Sequence, residues 1–73
     1  MATQHTARCR RSAARAPARV ARKLRLVAER MRDAADELHT LGRADKAGQL
    51  HGAATIATQW AQAIEAEQAG VAA

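Results

Sequence analysis

The spacing of the apolar residues constrains this chain more than any other feature of its sequence. In the first half of the chain they recur at alternating steps of four and three, the repeat by which one helix packs along another. The members of this repeat are Val20, Leu24, Val27, Met31, Ala34, Leu38 and Leu41. Gly42 follows the last of them, and glycine often ends a helix because it adopts a left-handed backbone conformation without strain. We therefore predict a first helix over about residues 17–41, with Pro17 in its first turn.

The same repeat continues beyond Gly42. Its members there are Ala47, Leu50, Ala54, Ala57, Ala61 and Ile64. This pattern predicts a second helix over about residues 45–68, with Asp45 as a possible N-cap and Gly70 beyond its end. Because the connection is so short, the two helices should pack antiparallel, with facing residue numbers that sum to about 88. The predicted fold class is all-α: an antiparallel two-helix hairpin over residues 17–70, with a short tail over residues 71–73.

The size of the chain points to a partner. Seventy-three residues bury little apolar surface, and the single cysteine excludes an internal disulfide. Ile56 and Trp60 lie to one side of the second apolar stripe, so a lone hairpin would leave them only partly covered. We predict that they form a partner or dimer interface, and that two hairpins associate as a homodimeric four-helix bundle. The alternative is that Trp60 covers the open edge of its own hairpin.

The charges are divided unevenly along the chain. Residues 1–32 carry ten basic residues and one acid, whereas residues 33–73 carry two basic residues and six acids, so their net charges are +9 and −4. Residues 1–16 have no apolar periodicity and are predicted to form a flexible basic arm. We also expect cross-helix ion pairs of Glu65 with Lys23, and of Glu67 with Arg19 or Arg22.

Four arginines of the arm have no acidic residue within reach of their own hairpin, and they are the candidates for binding a partner. They are Arg8, Arg10, Arg11 and Arg15. Three roles remain open for them. They could bind the phosphates of DNA or RNA without sequence preference, act as a targeting peptide, or form a solvated tail that aids solubility or guides the protein electrostatically toward an acidic protein.

The sequence contains no arrangement typical of catalysis. Paired carboxylates, a glycine-rich phosphate loop and a Ser–His–Asp set are all missing, so we predict neither an enzyme nor a cofactor. Cys9 lacks a neighbouring base, and His39 and His51 lack further ligands, so we expect no metal site. Gly48 and Gly52 leave two interpretations open, tolerated drift or a second close helix contact. No apolar run is long enough to span a membrane, and we expect a cytoplasmic protein.

The second half of the chain also resembles a known group of proteins. The stretch AADELHTLGRADKAGQLHGAATIATQWAQAIEAE, residues 34–67, is similar to small helical-hairpin proteins encoded by temperate phages, in its Ala-Asp-Glu-Leu and Gly-Ala-Ala…Gln-Trp-Ala segments. The resemblance implies a hairpin, often dimeric, that binds and switches off a protein of the bacterial host. It implies no particular target. Our prediction is thus a small regulator or inhibitor that binds a host protein, with nucleic-acid binding through the arm as the alternative.

Overall fold

Two packed helices make up the part of the chain that the structure describes. The structure is a computed structural model, and it describes the backbone of residues 2–72 and the side chains of residues 15–70. Helix α1 spans Ala2–Thr40 and helix α2 spans Ala44–Ala72. The Cα atoms extend over 59 × 26 × 11 Å, so the hairpin is a slab only one helix thick. The predicted all-α helical hairpin is confirmed.

Both helices are longer than the sequence indicated. Helix α1 begins at Ala2 rather than near residue 17, and Pro17 lies inside it. Helix α2 continues past Gly70, which does not end it. The segment predicted to be an arm, residues 1–16, is therefore largely part of α1, while its flexibility stays a prediction. The side chains of Arg8, Arg10 and Arg11, and those of the tail at residues 71–73, lie outside the described residues.

Gly42 ends the first helix in the predicted manner. Its backbone has a φ of 77°, the left-handed conformation that favours glycine. The N–H of Gly42 donates to the carbonyl of His39 at 3.0 Å, and the N–H of Arg43 donates to the carbonyl of Leu38 at 2.8 Å. These two hydrogen bonds form a Schellman motif, which satisfies carbonyls that the end of the helix would otherwise leave unpaired.

The second helix begins two residues earlier than it would if Asp45 were its N-cap. The N–H of Ala47 donates to the carbonyl of Arg43 at 3.0 Å, so Arg43 is the residue that precedes α2. Asp45 instead lies within the first turn of α2. The prediction of Asp45 as the N-cap is therefore wrong, although its carboxylate still lies at the helix end where negative charge is stabilising.

Alanine supplies every buried residue in the contact between the helices. Within the described residues, the buried ones are Ala21, Ala28, Ala35, Ala47, Ala54, Ala57 and Ala61. Leu24 and Met31 are partly buried and pack against a cluster formed by Ala28, Ala54 and Ala57. The buried stripe of α2 is the predicted one, since all four of its alanines are buried and its Leu50 and Ile64 are half-buried.

The buried stripe of α1 differs from the predicted one at every second member. Leu24, Met31 and Leu38 face α2 as expected. Between them, however, the helix buries alanines one position later than predicted: Ala21, Ala28 and Ala35 replace Val20, Val27 and Ala34. Small side chains in the contact let two helix axes approach more closely, and the larger valines are turned out of it. Leu41, the last predicted member, is 74% exposed.

Candidate protein-binding surface

The hairpin has two broad faces, one on each side of its buried stripe. We call the first the polar face, formed by Arg25, Arg32, Asp36, His51, Thr58 and Glu65. On this face the side chains of α1 reach across to those of α2. The guanidinium of Arg25 donates two hydrogen bonds to the carboxylate of Glu65, one of them from Nε to Oε2 at 3.0 Å.

The ion pair between Arg25 and Glu65 shifts the pKa values of both groups. The hydrogen bond from Arg25 lowers the pKa of Glu65, and the same bond raises the pKa of Arg25. The pair thus stabilises the fold above the unfolded pKa of Glu65, and this contribution disappears as the pH falls through the lowered value. Both side chains are more than 40% exposed, so the contribution is small and is reduced by salt.

Two further contacts line the polar face toward its closed end, by which we mean the end that contains Gly42. Nη2 of Arg32 donates to Oγ1 of Thr58 at 2.9 Å, and that hydroxyl donates to the carbonyl of Ala54 at 3.0 Å. Nε2 of His51 lies 3.6 Å from Oδ1 of Asp36, an ion pair when the imidazole is protonated. Together with the Arg25–Glu65 pair, these contacts connect the two helices along the polar face.

The opposite face of the slab carries exposed large apolar side chains between charged residues at its ends. At 100° per residue, Val20 and Val27 lie on one side of the α1 stripe and Arg25 lies on the other. On α2, Trp60 is likewise separated by the stripe from Glu65. Because Arg25 and Glu65 contact each other, their two sides form one face, and the remaining two sides must form the other face.

We call this second surface the apolar face. It consists of the large side chains Val20, Val27, Leu41, Ile56 and Trp60, with Ala34 and Ala53 between them. All seven residues are exposed, and Trp60 and Ile56 are 61% and 49% exposed. Trp60 therefore does not cover the edge of its own hairpin. The exposure of Ile56 and Trp60 is what an interface requires, while their binding to a partner stays a prediction.

The sequence pattern predicts the wrong location for four members of the apolar face. It predicts Val20, Val27, Ala34 and Leu41 in the contact between the helices, yet Ala34 is exposed and each of the other three is at least 41% exposed. The signal that was missed is a second heptad repeat on α1, formed by Ala21, Ala28 and Ala35. Like the predicted repeat, it alternates with Leu24, Met31 and Leu38. Of the two overlapping heptads on α1, the one that contains these alanines packs against α2.

Within the described residues, the predicted ion pairs of Glu65 with Lys23 and of Glu67 with Arg19 or Arg22 do not form. Glu65 binds Arg25 rather than Lys23, because Arg25 lies on the polar face and Lys23 on the opposite side of the stripe. Glu67 forms no salt bridge with the described residues. A cluster of cations instead remains exposed near the open end of the hairpin, the end away from Gly42. Its described members are Arg15, Arg19, Arg22 and Lys23, none of which forms a salt bridge within the described part of the chain.

The remaining candidate features offer no enclosed site. A shallow depression of about 350 Å³ beside the turn is lined by Asp36, Glu37, Thr40 and Leu41. Among residues whose side chains are described, no three histidine, cysteine or acidic residues are grouped to hold a metal ion. A Cβ added at Gly48 or Gly52 would meet no atom within 4 Å, so neither glycine makes a close contact inside the hairpin.

Comparisons with known proteins identify no relative of this chain. No family model matches the chain, and no curated protein or solved structure matches it either. The resemblance to phage-encoded hairpin proteins thus gains no support from them. Within the described residues, neither helix is long and apolar enough to cross a membrane.

Proposed function

We propose that this protein is a small non-enzymatic regulator or inhibitor that acts by binding a host protein through its apolar face. The observation that carries the proposal is the exposure of Trp60, Ile56 and Val27 on the same face of the hairpin. Soluble proteins seldom expose large contiguous apolar patches unless the patch binds something. The polar face, in contrast, is already engaged in contacts within the hairpin.

Trp60 is the residue on which we expect binding to depend most. Tryptophan is enriched among the few interface residues that carry most of the binding energy, because a large ring loses much water-exposed surface at one point. Ile56 lies one turn before Trp60 on α2, so the two side chains can enter the same pocket of a partner. A cytoplasmic target in a bacterial host and a phage origin remain predictions, and the proposal does not depend on them.

The test is capture of a host protein with the full chain, followed by measurement of its affinity with purified components. Nuclease treatment of the lysate removes proteins carried over by nucleic acid. We expect Trp60→Ala to weaken binding of the purified target at least tenfold, a loss of about 1.4 kcal/mol or more. Leu26→Ala is the matched control, because Leu26 is 47% exposed but lies on the outer side of α1. Equal binding by the two variants, or no captured protein, would contradict the proposal.

A second candidate function is binding of DNA or RNA without sequence preference. It is favoured by the exposed cations Arg15, Arg19, Arg22 and Lys23 near the open end, to which the sequence adds Arg8, Arg10 and Arg11. Clustered arginines bind phosphates and release counterions, so the affinity should fall steeply with salt. The described part of α1 contributes no aromatic side chain that could stack on bases, which is why no sequence preference is expected.

Gel shifts of duplex DNA and of RNA at low salt test this second candidate. Replacing Arg8, Arg10, Arg11 and Arg15 by Ala should abolish the shift. The double variant Arg19→Gln/Arg22→Gln should weaken it, whereas Arg43→Gln/Lys46→Gln, with the same loss of charge at the closed end, should not. A wild-type chain that shifts neither nucleic acid at low salt would exclude this function.

A further inference from the structure

We propose that a second copy of this chain covers the apolar face in antiparallel orientation, with α1 packed on α1 and α2 packed on α2. The two-fold axis then passes close to Ile56 and perpendicular to the helices. This inference rests on the proposed function and deepens it, because it names the occupant of the apolar face when no host protein is bound. The host protein would compete with the second copy for the same residues.

The apolar residues of α1 suit an antiparallel copy of themselves. Val20, Val27, Ala34 and Leu41 are spaced by seven, so they form a straight strip along the helix. The midpoint of this strip lies between Arg30 and Met31. Reversal about that midpoint places Val20 against Leu41 of the second copy and Val27 against Ala34 of the second copy. Both contacts then join two apolar side chains. In the contact nearer the axis, the larger Val27 lies against the smaller Ala34 of the second copy.

Helix α2 carries a matching strip with charges at its ends. Lys46, Ala53, Trp60 and Glu67 are also spaced by seven. The midpoint of this strip lies between Ile56 and Ala57. Reversal places Trp60 against Ala53 of the second copy, where the small alanine leaves room for the indole. It also places Lys46 against Glu67 of the second copy, an ion pair at each end of the strip.

One axis serves both helices because the two midpoints lie at the same height in the hairpin. Met31, at the midpoint of the α1 strip, packs against the buried cluster that contains Ala57, at the midpoint of the α2 strip. The contact of Arg32 with Thr58 lies at nearly the same height on the polar face. Two strips with unrelated midpoints could not both pair with themselves about a single axis, so this agreement favours the arrangement.

The charge distribution selects the antiparallel orientation over the parallel one. The cations Arg15, Arg19, Arg22 and Lys23 outnumber the acids Glu65 and Glu67 near the open end, so this end is net positive. The acids Asp33, Asp36, Glu37 and Asp45 outnumber the cations Arg43 and Lys46 near the closed end, so that end is net negative. An antiparallel copy places each cationic end beside an acidic end, with Lys23 near Glu37 of the second copy. A parallel copy would place the cationic ends together, Val20 over Glu67 and Leu41 over Lys46. One pair of charges is unfavourable in the antiparallel arrangement. Arg30 lies beside the two-fold axis, where it approaches Arg30 of the second copy at the edge of the interface.

The face is large enough for a stable dimer. Helix α2 has 29 residues. At 1.5 Å per residue, two adjacent helices of this length present a face of about 40 × 20 Å, or roughly 800 Å² per copy. That is about the area each partner buries in a stable interface of ordinary size. The hairpin, only one helix thick, thereby becomes a four-helix bundle with a second apolar layer.

Disulfide trapping tests the orientation in the full-length protein. In a Cys9→Ser background, a Val20→Cys chain mixed with a Leu41→Cys chain should yield the mixed disulfide as the main product. Leu26→Cys, on the outer side of α1, is the matched control and should not cross-link with either. Preferential cross-linking of Val20→Cys with Glu67→Cys would instead show the parallel bundle and overturn the inference.

A charge exchange tests the end pairs independently. Lys46→Glu and Glu67→Lys should each raise the dimer dissociation constant about two- to fivefold, and the double variant should restore it. Trp60→Ala should raise it at least tenfold, with helicity followed by circular dichroism to show that the hairpin remains folded. Arg30→Gln should lower the dissociation constant because it removes a like-charge contact. Failure of the double variant to restore the dimer would count against the antiparallel arrangement.

Sedimentation of the purified chain separates this inference from the proposed function. A dimer that fails to capture any host protein would support the inference and contradict the proposed function. A chain that sediments as a monomer at millimolar concentration, while Trp60 remains essential for host binding, would overturn the inference and leave the function intact.

Discussion

Alanine fills every fully buried position in the part of the chain whose side chains the structure describes. A buried alanine removes less apolar surface from water than a buried leucine, so each position contributes little hydrophobic stabilisation. The half-buried Leu24 and Met31 add only part of what full burial would give. The hairpin therefore gains little from its own core. Substitutions that act on the backbone should have large effects relative to its total stability.

Gly48 and Gly52 offer the clearest such substitution. Both lie inside α2, and a Cβ at either position would meet no atom within 4 Å. Gly48→Ala and Gly52→Ala should each stabilise the protein by about 0.5–1 kcal/mol, because alanine loses less backbone entropy in a helix. Thermal unfolding followed by circular dichroism measures the gain.

The control for these variants is Gly42→Ala. Gly42 has the positive φ that alanine tolerates poorly, so this variant should be destabilised by at least about 1 kcal/mol. A loss of stability in Gly48→Ala or Gly52→Ala would instead indicate the second close helix contact, made with another molecule.

At the scale of the helices, the sequence predicted one buried stripe correctly and the other only in part. In α2 a single set of alanines follows the heptad, and the structure buries that set. In α1 two heptads compete, one containing Val20 and Val27 and the other containing Ala21 and Ala28. Hydrophobicity favours the valines, whereas close approach of two helix axes favours the alanines. Which of the two heptads is buried depends on the side chains of α2. The spacing of apolar residues along α1 alone carries no information about them.

The apolar face could not be predicted fully for the same reason. Ile56 and Trp60 were identified because they lie outside the stripe of α2, which the sequence placed correctly. Val20, Val27, Ala34 and Leu41 also belong to the apolar face, but the sequence pattern assigns them to the buried stripe of α1. The side chains of Arg8, Arg10 and Arg11 lie outside the described residues, so their predicted role in binding a partner stays a prediction.

The close contact between buried alanines should make α2 sensitive to larger side chains at its buried positions. Ala54 is fully buried within the cluster that also contains Ala28 and Ala57. A leucine at position 54 would push the helix axes apart, and Ala54→Leu should destabilise the hairpin by about 1–3 kcal/mol. Ala66→Leu is the matched control, since Ala66 is exposed and leucine is a good helix former. Chemical denaturation of both variants measures the difference. Equal stability would show that the contact tolerates larger side chains.

At the scale of the whole molecule, the two helices differ in length by ten residues, since α1 has 39 and α2 has 29. The short turn at Gly42 aligns the helices at the closed end, so the excess of α1 lies beyond the open end. Both the Arg25–Glu65 pair and the apolar face lie in the part of the hairpin where α1 and α2 run side by side. The stability of the hairpin should therefore depend on residues 15–72 and hardly on the segment before them.

Deletion of residues 1–14 should accordingly leave the free energy of unfolding within about 0.5 kcal/mol of the full-length value. The deletion removes Arg8, Arg10 and Arg11 and lowers the net charge from +5 to +2. Because the apolar face begins at Val20, dimerisation and host-protein binding should persist, whereas binding to nucleic acid should weaken and lose part of its salt dependence. Denaturation, sedimentation and gel shifts on the truncated chain measure these three properties separately. A truncated chain that unfolds much more easily would show that residues 1–14 stabilise the hairpin directly.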